Sequence, residues 1–394
     1  MSFVVALSSK SELKTSAVRE ALTKYAENIN KKLVIICVST KDAPIPVQPV
    51  NTGNKCAKLR NEYMKKELGN TEYDMLISIE NSIGTMGFYN LENASDDDNS
   101  EDEEEDIKDA CNIIIEDKKG DIFSSQSMVM DYECVIVSKK YYDMAKKKTS
   151  EDYKYLKDGL SVTVGSLIHK EFSDIPANNW MKDELFGGMD RKEQINEIIS
   201  EMLEGIDEYN KDINKLKDAI IKVPDFPEPG VLFQDLSDIL NNKKLTKMML
   251  QYLIHLLNEN IDKTKHNFFD DNIVIMGLDA RGFIYGMALA TKLKYGFIMA
   301  RKAGKLPGKT VKQEYGTEYS KACIEVMPHL INKDTKVIVV DDLVATGGSL
   351  DAAVKLTKKC GGQVIACVTI LQVDSLVEQA RKKLGDIPLL VLIK

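Results

Sequence analysis

Apolar residues recur along this chain at two spacings, and the switch between them marks out elements. Short β-branched or apolar runs at residues 3–7, 33–38 and 75–79 read as buried strands, while residues 11–25 repeat apolar positions every three to four residues, as an amphipathic helix does. Further on, residues 133–137 resume a strand, residues 139–157 form a basic, helical stretch, and residues 161–168 read as another β-rich run. Residues 189–222 predict one long charged helix without proline, and Pro224, Pro227 and Pro229 then break it. Beyond that break, apolar strands at 273–278, 295–300, 337–340 and 364–371 alternate with helical segments. Strands alternating with helices predict an α/β layer architecture in both halves. The boundary is expected near 206–222, giving domains of 1–205 and 206–394.

Composition supports that division. A chain of 394 residues exceeds one ordinary core, and 43% hydrophobic with 29% charged residues is normal for packed domains. The formal net charge of -8 argues against a nucleic-acid partner, whose footprint is basic. Much of that excess lies in residues 93–109, almost all acidic or small; charge at this density cannot bury enough surface to offset ordering entropy, so a disordered insertion is expected, with an acidic interaction segment as the alternative. Seven scattered cysteines without a C-x-x-C pair fit a reducing compartment better than a disulfide framework or a metal knuckle. The N-terminal run MSFVVALSSK has no basic segment ahead of it and leads straight into a helical pattern, so it reads as a first strand and not a leader. With no apolar stretch of about 20 residues to span a bilayer, a cytoplasmic protein without membrane contact is expected.

The segment VIVVDDLVATGGS (337–349) carries the most chemistry. A run of β-branched residues suited to a strand buried on both faces ends at two carboxylates, Asp341 and Asp342. A loop of Ala345, Thr346, Gly347, Gly348 and Ser349 follows and opens a helix. Ligands of open α/β sheets bind at the carboxyl ends of strands, and helix N-termini offer free N–H groups to phosphate. Gly347 and Gly348 let backbone approach an anion, Thr346 and Ser349 add hydroxyl donors, and the two acids are placed to accept from ribose hydroxyls. An ordinary strand–turn–helix with incidental acids is the plain alternative.

This stretch resembles the signature of the type I phosphoribosyltransferases, and its surroundings resemble their adenine-specific branch over nearly all of 223–392. PDFPEPGVLFQD (224–235) resembles that family's base-binding segment and GLDARGF (277–283) its pyrophosphate loop. RKAGKLPG (301–308) resembles the opening of its mobile loop and EYSKACIEV (318–326) the close. The resemblance implies transfer of phosphoribose from phosphoribosyl pyrophosphate (PRPP) to adenine, giving AMP and pyrophosphate. Displacing pyrophosphate builds positive character on the ribose and negative charge on the leaving group, so fixed cations near the latter matter most. Ala280, Arg281, Arg301, Lys302 and Lys305 are the expected pyrophosphate residues. Mg²⁺ is the expected cofactor, carried by PRPP and held with Asp341 and Asp342. Adenine is expected against Phe233 and Leu343, with the backbone of Val231 reading its edge. A cis peptide at Asp279–Ala280 and a homodimer are also implied. Glu318 is the general acid/base candidate. Glu314, in a competing Glu-Tyr-Gly, would need a four-residue insertion to take that place. Two departures stand out: Gln234 where the family usually has Arg, and Ser320 in place of Gly. Hypoxanthine or guanine as the base, or a non-catalytic PRPP-binding regulator, are the competing readings.

The first half resembles another family. VVALSSKSELKTSAVREAL (4–22) is similar to the start of the inosine/xanthosine triphosphate pyrophosphatase-like purine triphosphatases, in which a Thr-x-Asn-x-x-Lys loop holds the triphosphate. Ser9, Ser11 and Lys14 fall on that loop, where Lys14 matches and Ser11 replaces the Asn; Arg60 falls in the next motif, Glu80 at a strand end where the family binds Mg²⁺, and Arg191 in the closing helix. The family's acidic pair falls on Gly53 and Asn54. A hydrolase needs carboxylates to hold metal and activate water, so weak or absent triphosphatase activity is expected from this domain.

Overall fold

The computed structural model describes residues 1–84, 106–125, 135–226, 228–261, 272–316 and 321–394. The chain divides into two compact units, Met1–Glu208 and Tyr209–Lys394. The division falls inside one helix rather than in a loop, because the charged, proline-free segment forms an uninterrupted helix over Arg191–Asp218.

In the first unit, β1 (Ser2–Leu7) lies between β2 (Lys32–Cys37) and β4 (Met75–Gly84), parallel to both. β5 (Lys108–Asp117) continues the sheet antiparallel to β4, and β6 (Ile122–Ser124) and β7 (Val135–Ile136) both pair with β5. β3 (Gln48–Pro49) and β8 (Gly159–Leu160) form a small separate ladder. α1 (Glu12–Asn28) buries Ala17, Val18, Ala21 and Leu22, the three-to-four spacing anticipated, and α2 (Gly53–Leu68) precedes β4.

Two expectations fail here. The basic stretch is helical only over α3 (Lys139–Lys148), and turns follow it. Residues 161–168 are not a strand: α4 (Val164–Glu171) starts there, its N-terminus capped by the Thr163 hydroxyl accepting from Ser166 N–H at 3.1 Å. Val164, Leu167 and Ile168 are buried at helical spacing, so periodicity and the cap outweigh the strand preference of individual residues. The first part of α5 (Arg191–Asp218), up to Glu208, ends the unit's chain. Of the acidic stretch expected to be disordered, 93–105 lies outside the described residues, as does Cys134, but its end is ordered: Lys108 and Asp109 begin β5, and Asp109 is buried; the other six cysteines are free thiols.

The second unit opens with a hairpin, β9 (Ile221–Pro224) against β10 (Leu232–Asp235), followed by α6 (Ser237–Asn241) and α7 (Lys243–Asn260). Its main sheet, among the described residues, runs β13 (Val311–Gly316), β14 (Lys321–Val326), β12 (Gly296–Lys302), β11 (Ile273–Leu278), β15 (Lys336–Val344), β16 (Gln363–Gln372) and β17 (Leu389–Ile393). The five strands from β12 to β17 are mutually parallel, and β13–β14 is an antiparallel extension. α8 (Gly282–Leu293), α9 (Gly348–Lys359) and α10 (Val377–Leu384) supply the crossovers. Val337 through Val340 are at most 1% exposed, which explains their unbroken apolar run; burying one such side chain contributes about 1.5–3 kcal/mol. Val337 and Val339 share a core with Leu350, Leu356, Ala380 and Val391. This packing aims the ends of β11, β12 and β15 at a common edge. No helix among the described residues is long and apolar enough to cross a membrane.

Candidate active site

β15 delivers Asp341 and Asp342 to the carboxyl end of the parallel sheet, where the chain turns into α9. Gly347 takes φ +73°, and a Cβ there would meet Ala380 Cβ at 2.6 Å, so both the backbone and the approach of α10 demand glycine. Lys383 of α10 donates to the Thr346 carbonyl at 2.8 Å, fixing the loop from outside. A Cβ on Gly348 would lie 2.9 Å from the Gly316 carbonyl oxygen, so the end of β13 abuts the loop. Ala345, Thr346, Gly347, Gly348 and Ser349 thus form a tight turn onto a helix N-terminus, an arrangement that presents N–H groups to an anion.

The two carboxylates differ in their partners. Asp341 accepts from Asp342 N–H at 2.9 Å and meets the Ser349 hydroxyl at 3.5 Å, whereas Asp342 is ion-paired with Arg281 at 2.7 Å. Burial, and then the neighbouring Asp342 charge, push the Asp341 carboxyl well above the usual carboxylate range. Two adjacent acids with one guanidinium are a donor set short of positive charge.

Cations gather on the neighbouring strand ends. The Asp279–Ala280 peptide following β11 is cis, as the family resemblance implies, and it leads to Arg281. Asp279 reaches the end of β12, accepting from Arg301 Nε at 3.4 Å and from Lys302 N–H at 3.3 Å. Arg301 also donates to the Lys305 carbonyl at 3.3 Å. Arg281 lies over the Phe233 ring, 5.1 Å from its centroid, while paired with Asp342. It therefore bridges the β9–β10 hairpin and the acid pair, a role the sequence did not suggest. Phe226 packs edge-on against Phe233 at 5.1 Å. Val231 uses its N–H on the Glu228 carbonyl and its own carbonyl accepts from Phe226 N–H, each 3.2 Å, leaving one carbonyl lone pair for a ligand. Gln234 lies in the β9–β10 ladder opposite Lys222, and Leu343 is half-buried on β15. Glu318 and Ser320 lie outside the described residues; Glu314 is exposed on β13, paired in register with Cys323.

In the first unit the fold brings Lys14, Arg60, Glu80 and Arg191 together. Arg60 is ion-paired with Glu80 and donates to the Thr40 hydroxyl and carbonyl, and Lys14 donates to the Ile79 carbonyl at 3.0 Å. Burial pulls the Lys14 ammonium below its usual pKa, and Glu80 and Cys111 pull it the other way. Asp109, 4% exposed, is the partner that sequence reading missed; it holds Arg191, 2% exposed. Nothing in the sequence signals it, since Asp109 stands as the last residue of the acidic stretch expected to be disordered. Ser9 and Ser11 engage each other in the β1–α1 loop, Ser11 N–H to Ser9 Oγ at 3.1 Å. At Gly53 a Cβ would sit 2.1 Å from Asn112 Nδ2, so the space of an acidic side chain is filled. Asn112 is fixed there by bonds to the Ser82 hydroxyl and the Ala110 carbonyl, at 2.8 and 3.1 Å.

Comparison with known proteins bears on the second unit. Residues 243–386 match the phosphoribosyl transferase domain family. The adenine phosphoribosyltransferase of Natranaerobius thermophilus is 40% identical over 179 residues, 45% of this chain and 97% of that protein. That of Cricetulus griseus is 40% identical over 171 residues, 43% of this chain and 90% of its own. A solved adenine phosphoribosyltransferase of Saccharomyces cerevisiae, 34% identical, covers 46% of this chain and 99% of its own at a TM-score of 0.42. A glycine turn, an acid pair and arginines converge on adjoining strand ends of a domain that is 40% identical to relatives covered over 90% or more of their length, and through that domain the chain belongs to the adenine phosphoribosyltransferase family.

Proposed function

We propose that the C-terminal unit transfers phosphoribose from PRPP to adenine, forming AMP and pyrophosphate. The observation that carries this reading is the convergence of 341–349 with Arg281 and Arg301 on the ends of β15, β11 and β12. The loop at Thr346–Ser349 binds the 5′-phosphate through N–H groups and hydroxyls, and Asp341 and Asp342 accept from the ribose hydroxyls. Arg281, Arg301, Lys302 and Lys305 hold the departing pyrophosphate, where negative charge develops. Arg281 leaves Asp342 for the pyrophosphate as substrate enters. Adenine lies against Phe233 and Leu343, and the spare lone pair of the Val231 carbonyl accepts from its exocyclic amine. Glu318 exchanges the proton of the purine ring as the glycosidic bond forms; Gly316, two residues before it, abuts the phosphate loop.

The acid pair fits a Mg²⁺ that arrives with PRPP, since such an ion keeps phosphate and water ligands and needs few from protein. Bound there, it supplies charge neutralisation on the pyrophosphate, with Asp341 and Asp342 as its protein ligands. A homodimer is part of this reading, and Ile284 and Met287 of α8, each 51% exposed, are apolar surface such contacts would cover.

A steady-state assay with PRPP, Mg²⁺ and each purine base tests the proposal. Adenine-dependent AMP release, weakened by Asp341→Ala or Thr346→Ala through PRPP KM, is the expected result. Preference for hypoxanthine or guanine would change the base, a real question given Gln234. PRPP binding without turnover would favour a regulator.

For the N-terminal unit we propose a nucleotide-binding fold of the inosine/xanthosine triphosphatase kind with little or no hydrolysis. Lys14, Arg60 and Arg191 outnumber Glu80 and Asp109, which suits an anionic ligand, yet each carboxylate already carries an arginine. The crowding at Gly53 leaves no room for a further acid. Incubating the protein with ITP or XTP and Mg²⁺ or Mn²⁺ is the test; brisk pyrophosphate release abolished by Glu80→Gln would overturn it.

A further inference from the structure

The segment 303–310, which joins β12 to β13 and carries Lys305, is folded around a single carboxylate. Glu325 lies on β14 opposite Arg301 of β12 on one side and Lys312 of β13 on the other. Its side chain is 1% exposed. One carboxylate oxygen accepts the N–H groups of Lys305 and Leu306, both at 2.9 Å, and the other accepts the Thr310 hydroxyl at 3.0 Å, with the Lys312 ammonium 3.7 Å away. Gly304 and Gly308, at φ +83° and +74°, let the chain turn on either side of these bonds.

The connection to the site runs through Lys305. Its N–H is held by Glu325, and its carbonyl accepts from Arg301, which also reaches Asp279. Arg301 is thus oriented from two sides, one set by the cis-peptide turn after β11 and the other by the Glu325-anchored loop. An ionised carboxylate suits this cradle, because the Lys305 and Leu306 N–H groups, the Thr310 hydroxyl and the Lys312 ammonium all turn toward its two oxygens. A glutamine would turn an amide N–H₂ toward one of them. Desolvation works to raise this carboxyl, but the bonds from Leu306, Thr310, Lys305 and Gly304 outweigh it and hold it below its usual value, so the anchor is charged at neutral pH with no ligand present.

We infer that Glu325 is a positioning residue for the pyrophosphate end of PRPP: it holds 303–310 so that Arg301 and Lys305 face the leaving group. The inference rests on the phosphoribosyltransferase reading and adds to it a residue that touches no substrate. A plain structural anchor would lower stability and leave the balance between the two substrates alone, whereas this role affects PRPP and spares the base.

Glu325→Gln in the full chain tests it, with steady-state kinetics and isothermal titration calorimetry on PRPP and on pyrophosphate. PRPP KM and the dissociation constants of PRPP and pyrophosphate are expected to rise about ten- to a hundredfold, as a misplacement near 1 Å produces, while adenine KM stays within about twofold. Glu325→Asp, which keeps the charge on a shorter stem, is expected to recover part of the loss. Should the amide variant not fold, Thr310→Val removes one donor and is expected to shift PRPP affinity the same way by a few fold. Unchanged PRPP affinity in a folded Glu325→Gln protein, or equal rises for PRPP and adenine with a fall in Tm, would overturn the role. A wild-type protein that binds PRPP without turning it over would refute the enzyme reading instead, and the calorimetric comparison would still decide on Glu325. Wild-type protein that binds no PRPP would end both.

Discussion

Replacing Gly347 with alanine tests the proposed phosphate loop at its tightest point. At φ +73° an L side chain costs about 1–2 kcal/mol. The new Cβ would also meet Ala380 at 2.6 Å to its Cβ and 2.7 Å to its Cα, about 1 Å inside the ordinary contact of roughly 3.5–4.0 Å. Ala380 is wholly buried in the core of the unit, so α10 resists and the loop moves instead. Overpacking of this kind costs about 1–3 kcal/mol, for a total near 2–5 kcal/mol. For a unit of this size that corresponds to a Tm lower by roughly 4–20 °C. The functional loss follows from the displacement: N–H groups shifted by about 1 Å from the 5′-phosphate should raise PRPP KM about ten- to a hundredfold. AMP formation at varied PRPP and a thermal melt measure both effects. Gly361 makes the control, since at φ +96° it is equally ill-suited to alanine but its Cβ would have no neighbour nearer than 3.7 Å. Gly361→Ala should lose stability and keep its PRPP KM. The reasoning fails if Gly347→Ala leaves PRPP KM within threefold of wild type, or if Gly361→Ala raises it equally.

Glu318→Ala is expected to lower kcat by about 10²–10³ with PRPP KM little changed, and Glu314→Ala to stay near wild type; the reverse order in the same assay would move the acid/base role to Glu314. Arg191→Met leaves Asp109 buried without its arginine and should cost about 3–5 kcal/mol in urea unfolding of the first unit, where a loss under about 1 kcal/mol would show the acid finding another partner. The anchor at Glu325 has a pH signature. Its carboxyl lies below the usual value when folded, so its stabilisation is present above the unfolded pKa of about 4.3 and fades as pH falls through the lower folded value. The stability gap between wild type and Glu325→Gln, from urea unfolding of the second unit, should be constant from neutral pH to about 5 and shrink below about 4. A gap that widens in acid would contradict the ionised anchor.

Much of the second unit was legible in residue order, because its chemistry sits in contiguous segments. The β-branched run before Asp341 needs burial on both faces, and the glycines after it need positive φ or close approach; each is a local demand that one stretch of sequence states in full. Residues 161–168 misled for the opposite reason: their strand preference was local, while the Thr163 cap and the burial of Val164, Leu167 and Ile168 set a helix.

Contacts between distant segments were beyond reach. Asp109 became the partner of Arg191, 82 positions away, only once β5 had paired with β4 and α5 had come to rest beside it. Glu325 was only one residue of the segment 318–326 read as closing the loop, and nothing there showed that 303–310 would wrap its carboxylate. Arg281 read as a pyrophosphate ligand, and folding showed it stacked on Phe233 and paired with Asp342. Sequence alone determined the alternating strands and helices of the second unit, the glycine turn after Asp342 and that unit's family, since these depend on periodicity, backbone freedom and residue type within a few neighbours. Tertiary structure alone decided which buried charges face each other, because an ion pair taken out of water is set by where separate elements meet, and the spacing of its members along the chain carries no trace of that meeting.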